Sequence, residues 1–173
     1  MSKNNIIIKK AKIEDAEQMH LIMKNVYNEL DDQSLYVCDD LDFVRQHIEN
    51  EGLAVVTKNE NDQIVGCFIV RYPGKSDDNL GRDLELAEDD WSRVVHMESC
   101  VVLPQYRGNN LQYKMLKYAE NLIDTSKKNI FLATVSPENP SSYKSFEKNG
   151  YSLEMTKKKY GGLMRRIYKK EVD

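Results

Sequence analysis

In Val101-Val102-Leu103-Pro104-Gln105-Tyr106-Arg107-Gly108-Asn109-Asn110-Leu111, a β-branched run stops at a proline and Gly108 centres a turn that opens a helix. Met115, Ala119, Leu122 and Ile123 follow at helical spacing, and Ile130 to Val135 is a second strand-like run. Two strands joined through a helix of this length run parallel by a right-handed crossover, so the spacing predicts an α/β protein with a parallel pair. The junction also carries chemistry. The free N–H groups of the first helical turn and the positive end of the helix dipole face whatever lies beyond the strand, and Gly108 lets an anion approach the backbone. Any βα junction needs a small turn residue, so turn geometry and phosphate binding both stay open on these residues alone.

Downstream, Asn139 is a good N-cap, Pro140 suits the first helical position, and Asn149-Gly150 suits the helix end. Tyr151 to Lys159 and Leu163 to Lys170 alternate about Gly161-Gly162, which predicts a closing antiparallel hairpin. Upstream, Ile6-Ile7-Ile8 reads as a short strand, and Ala16, Met19, Met23, Val26, Tyr27 and Leu30 stripe one amphipathic helix. Asp39-Asp40-Leu41-Asp42 opens a shorter helix carrying Phe43, Val44 and Ile48, with Gly52 at its end. Leu53 to Thr57 and Gln63 to Tyr72 are strands of a hairpin around Asn59-Glu60-Asn61-Asp62, and Val94 to Leu103 is a further strand. Lys75 to Ser92, acidic and holding the single Trp91, reads as a long surface loop. The expectation is one domain over 1–173: an α/β mixed sheet of about seven strands, one central parallel pair and flanking helices.

The chain has 173 residues, 40% of them hydrophobic, enough for one real core. No run of about eighteen apolar residues occurs, and Met1-Ser2-Lys3-Asn4-Asn5 lacks the apolar centre of a signal peptide, so a soluble, cytoplasmic protein without a membrane partner is expected. Cys38, Cys67 and Cys100 are odd in number and lack metal-ligand spacing, which predicts reduced thiols and no metal site. A net charge of -3 argues against bulk nucleic acid as a partner. Lys157-Lys158-Lys159, Arg165-Arg166 and Lys169-Lys170 alternate faces of the hairpin and read as a charged exposed edge. The acidic stretch from Asp77 to Asp90 hints at a cationic acceptor.

The segment from Gln105 resembles the acyl-CoA signature of the GNAT superfamily of N-acetyltransferases: Gln or Arg, two residues, Gly, one residue, then Gly or Ala. Gln105 and Gly108 match, while Asn110 stands where Gly or Ala is usual; Asn tolerates left-handed backbone better than most residues. Asn139, Ser142, Glu147-Lys148 and Gly150-Tyr151 are similar to the family's closing helix. The resemblance implies a GNAT-like fold in which the fourth and fifth strands splay apart and acetyl-CoA enters between them as acyl donor. It implies pantetheine pairing with the backbone of Val101, Val102 and Leu103, and pyrophosphate on the amides of Arg107, Gly108, Asn109, Asn110, Leu111 and Gln112. Asn139 and Phe146 would stand beside the donor. Phe146 occupies the position where many members carry a tyrosine that protonates the departing thiolate, which leaves Tyr143 one turn earlier, a water, or no acid.

The implied reaction is attack of an amine, on a small molecule or a peptide, on the acyl thioester. His96 and Glu98 lie just upstream of the pairing valines, and a period of two puts both on one face. Histidine is suited to accept an ammonium proton and Glu98 to orient it, and in several family members a carboxylate near this position is the base. Both are equally readable as structural strand residues, and a bulge would turn one away. Cys100 lies beside the expected thioester without a His-carboxylate constellation and reads as filler. Two other functions stay open on the sequence: a CoA-binding regulatory module with lost chemistry, and an RNA or protein interaction domain using the basic hairpin. A homodimer is compatible with either reading.

Overall fold

The most apolar runs of the chain become the middle of a seven-stranded sheet. In the computed structural model, which describes residues 5–173, the strand order is β1-β2-β3-β4-β5-β7-β6. The strands are β1 (Ile7–Lys10), β2 (Gly52–Lys58), β3 (Ile64–Arg71), β4 (Val94–Val102), β5 (Ile130–Val135), β6 (Ser152–Lys159) and β7 (Leu163–Glu171). Only β4 and β5 are parallel. The helices are α1 (Ala16–Glu29), α2 (Leu41–Glu49), a one-turn α3 (Leu80–Asp83), α4 (Leu111–Leu122) and α5 (Pro140–Lys148). Met1 to Asn4, most of the segment read above for a leader, lie outside the described residues.

Alternation along β2 and β3 sends Val55 and Phe68 to one face and Ala54, Val56, Cys67 and Ile69 to the other. The first face packs on α4 and α5 through Met115, Leu116, Ala119 and Phe146; the second packs on α1 and α2 through Met19, Met23 and Val44. Burying each such large side chain stabilises the fold by roughly 1.5–3 kcal/mol, which is why these strands read as near-continuous hydrophobic runs. On α4 the buried stripe includes Leu116, whereas Leu122, expected inside, is 37% exposed at the helix end.

Two expectations need correction. Gly52 does not end α2, which stops at Glu49; it begins β2, where an added Cβ would lie 1.9 Å from the carbonyl oxygen of Val70. The glycine serves strand approach, not a helix cap. Nor is Lys75 to Ser92 a plain surface loop. Leu80, Leu84 and Leu86 cover the part of the sheet face that α1 and α2 leave open, packing with Val94, Ile130, Leu132 and Ile167. Asn79, fully buried, holds the segment in shape by donating to the carbonyls of Gly74 (2.7 Å) and Trp91 (3.3 Å) while accepting from the Gly81 amide (2.8 Å). Part of the basic hairpin is paired: Lys157 and Lys159 reach the two oxygens of Asp83 at 2.6 and 2.7 Å. All three cysteines are free. No helix among the described residues is long and apolar enough to cross a membrane, and none of their His, Cys, Asp and Glu side chains gather in threes placed to hold a metal.

Candidate active site

The parallel ladder between β4 and β5 is only three pairs long: Val94 with Ile130, Val95 with Phe131, and His96 with Leu132. Beyond it β4 stays bonded to β3 and β5 to β7, so the two central strands part. A bulge marks the parting. The register against β3 steps from Ile69–Ser99 to Val70–Met97, leaving Glu98 as the extra residue; a bulge bends its strand and re-aims a side chain. The resulting cleft, about 970 Å³, is walled by Glu98, Val101 and Val102 on β4, by Thr134 and Val135 on β5, and by the facing ends of α4 and α5.

At the start of α4 the turn leaves the helix without a side-chain cap. Gly108 has φ +83° and Asn110 φ +56°, and Asn110 gives α4 no side-chain cap, so the first-turn amides have no such acceptor. Asparagine enters the left-handed region cheaply, which is how this chain keeps the loop without the usual glycine. Asn109 Nδ2 donates to the Tyr106 carbonyl (3.0 Å) and Arg107 Nε to the Val102 carbonyl (3.2 Å), bracing the turn on β4. Gln112 Nε2 donates to Ser142 Oγ (2.8 Å), tying α4 to α5, and Asn139 Oδ1 accepts from the Ser142 amide (3.2 Å) as the α5 cap. Arg107, Gly108, Asn110, Leu111, Gln112, Asn139 and Phe146 all line the cleft. Leu103 instead packs into the α1–α2 core, and Asn109 is a brace rather than part of the wall.

The other end of the cleft gathers titratable groups. His96 is 3% exposed; its Nε2 accepts the Leu80 amide (3.0 Å) and its Nδ1 faces Glu98 Oε2 at 3.2 Å. An amide can only donate, so the neutral ring carries its proton on Nδ1 and donates it to Glu98. That tautomer leaves His96 no free lone pair, which does not fit the expectation that it takes the ammonium proton. Glu98 keeps its second oxygen and lines the cleft. Asp39, from the segment between α1 and α2, lines it too; burial, and then the nearby Glu98 charge, push its carboxyl up to about 7. Arg71 clasps Asp78 through two bonds of 2.7 and 2.9 Å and holds that carboxyl well below the usual range. Tyr36 and Tyr160 line the same end, their hydroxyls on Ser99 Oγ (3.0 Å) and Thr134 Oγ1 (2.9 Å).

Asp39 has a checkable effect on stability. Its folded value, about 7, stands above the unfolded value near ~3.9. The folded chain therefore holds a proton that the unfolded chain releases as pH rises from about 4 to about 7, and stability falls across that window. Asp39→Asn should melt with the parent at about pH 4 and several degrees above it at about pH 8, a gap of up to about 4 kcal/mol. A melting difference that stays constant over this range would exclude the effect.

A family model of GNAT acetyltransferases matches residues 18–151. The chain belongs to the GNAT acetyltransferase family. No curated protein sequence matches it. Solved structures share its fold at low identity: yncA of Salmonella typhimurium, solved with its cofactor acetyl-CoA (16% identical, TM-score 0.72, 98% of this chain and 95% of that one); a ribosomal-protein-alanine N-acetyltransferase of Brucella melitensis (18%, 0.71, 96% and 99%); and an N-acetyltransferase of Staphylococcus aureus Mu50 (17%, 0.70, 96% and 98%).

Set against the GNAT pattern, α5 differs from expectation. Phe146, at the usual tyrosine position, faces the cleft, meeting Tyr151 edge-to-face and stacking on Tyr168. Tyr143 does not line the cleft; the Arg166 guanidinium from β7 lies 4.4 Å from its ring centre. Three helical positions leave about 60° between side chains, enough to put the two rings on different surfaces. Cys100 lines the cleft, and burial raises its thiol well above the ordinary value, so it offers no thiolate. Of the acidic stretch from Asp77 to Asp90 only Asp78 reaches the wall, already paired. The residues missed from sequence, Tyr36, Asp39, Arg71, Tyr160 and Arg165, come from loops, from the end of β3 and from β7; no motif or spacing pointed them at the site.

Proposed function

We propose that this GNAT member transfers an acetyl group from acetyl-CoA to a primary amine by direct attack, with Glu98 as base and His96 as its positioning residue. One observation carries the reading: the Glu98 carboxylate, bulged out at the parting of β4 and β5 and held by His96, stands on the strand edge that leads to the Arg107–Gln112 turn. Pyrophosphate on the turn amides would lay the donor's arm along that edge and bring the thioester toward Glu98. An acceptor ammonium gives its proton to the free Glu98 oxygen; the neutral nitrogen then attacks the thioester carbon. The C–N bond forms, the nitrogen sheds its second, surplus proton to solvent, the C–S bond breaks, and its electron pair leaves on sulfur. Backbone N–H groups of the open β4 edge suit the oxyanion. The thiolate takes its proton from solvent, since no phenol of α5 faces the cleft.

The test is release of free CoA thiol from acetyl-CoA over a panel of amines, with the N-acetyl product identified by mass. Release at the same rate without any amine would sink the proposal. Tyr143→Phe should keep kcat and KM within about threefold of the parent, because its ring packs under Arg166; a loss on the order of a hundredfold, the scale of a general acid, would restore Tyr143 to the chemistry.

A further inference from the structure

Arg165, on β7, is 4% exposed yet lines the cleft. Of its five N–H donors, one is used by the Met164 carbonyl and one by the Ser34 carbonyl, and no carboxylate pairs with it among the described residues. A tether to two carbonyls does not require a charge, and a guanidinium withdrawn from water without an anion is costly. Burial accordingly lowers its proton affinity. The Asp39 carboxylate is likewise without a hydrogen-bonded or ionic partner among the described residues, and Glu98 has only His96. Tyr160 links the two sides. Its ring centre lies 5.8 Å from the Arg165 guanidinium, and its hydroxyl feels the charges of both Glu98 and Arg165. One end of the cleft therefore presents a guanidinium with no bonded carboxylate, and opposite it two carboxyl groups with no ion pair of their own, since the nearby Arg71 is already clasped by Asp78.

We propose that the acceptor is a zwitterion of amino-acid type, its carboxylate received by the free N–H groups of Arg165 and its amine held between Asp39 and Glu98. This rests on the acetyl-transfer reading above and adds the class of acceptor. A guanidinium fork fits a carboxylate through two parallel bonds, and a ligand carrying both charges neutralises both sides of the pocket at once. An amine without an anion would leave Arg165 buried and unpaired.

The experiment compares the standard L-amino acids with their α-amides as acceptors, on the parent and on Arg165→Gln. At least one free amino acid should exceed its own amide by about thirtyfold in kcat/KM, the scale of one buried charge pair. Arg165→Gln should remove that preference, leaving the amide within about threefold. Amides equal to or better than the acids throughout, or a variant that slows both alike, would overturn the assignment and make Arg165 a tether of the Ser34 segment. If no pair turns over, calorimetry with amino acids on the CoA-loaded parent decides: binding of acids but not amides keeps the zwitterion site and removes acetyl transfer, while binding of neither removes the site.

Discussion

Glu98→Gln is expected to lower kcat by about a thousandfold, within the 10²–10⁴ range of a lost general base, while the Kd for acetyl-CoA stays at the parental value. Glutamine keeps the shape of the side chain and can still accept the His96 Nδ1 hydrogen bond, now 3.2 Å, so position survives and proton affinity does not. The deficit should be largest at low pH, where the acceptor is an ammonium, and should narrow at high pH, where free amine is available. His96→Phe removes only the group that orients the carboxylate, so its loss should be nearer tenfold and should fall on kcat. Parental rates in Glu98→Gln at low pH, with the protein folded, would take the bulge out of the mechanism.

Gly108→Val should weaken acetyl-CoA binding at least a hundredfold. With φ at +83° and no atom within 4 Å of an added Cβ, valine meets no protein clash there. It brings backbone strain of roughly 1–2 kcal/mol and two methyl groups over the amides that the phosphates would approach. Strain and blockage can be separated by Gly74→Val, at φ +53° and also in open space. Both variants should lose melting temperature, and only the first should lose CoA in calorimetry. Equal CoA affinity in Gly108→Val and parent would move the anion site off this turn.

What could be read in the sequence was what short-range rules govern. The valines of β4, Pro104 and the turn, the Asn139-Pro140 start of α5, and the Gly161-Gly162 hairpin each declare themselves within a few residues, because capping and turn chemistry are local. The residues that the family resemblance assigned to the donor, such as Gly108, Gln112 and Phe146, line the cleft. The acceptor end was not legible. Asp39, Glu98 and Arg165 meet only because β7 inserts between β5 and β6 and because the segment after α1 folds across β4. The role of His96 depended on an amide sixteen positions upstream, Leu80, in a segment whose charge concealed its buried leucines. Tyr143, read as either acid or packing, lies off the cleft wall because three positions on a helix are near neighbours without sharing a surface.

The three-pair ladder between β4 and β5 makes the sheet behave as two plates on a short hinge. One plate is β1 to β4 and the other β5 to β7, and past His96 they are joined by packed side chains, by α4 with its Gln112–Ser142 link to α5, and by the Arg165 tether to the Ser34 carbonyl. Backbone groups on the inner edges of both plates are open to solvent exchange where every other central strand is locked. A donor lying in the gap would act as an eighth strand one chain wide, closing the molecule the way a slide closes a fastener. Deuterium uptake should then report occupancy directly: the amides of Cys100 and Val102, which alternate away from the β3 ladder, exchange quickly in the free protein and slowly once CoA is added, with β2 and β3 indifferent throughout.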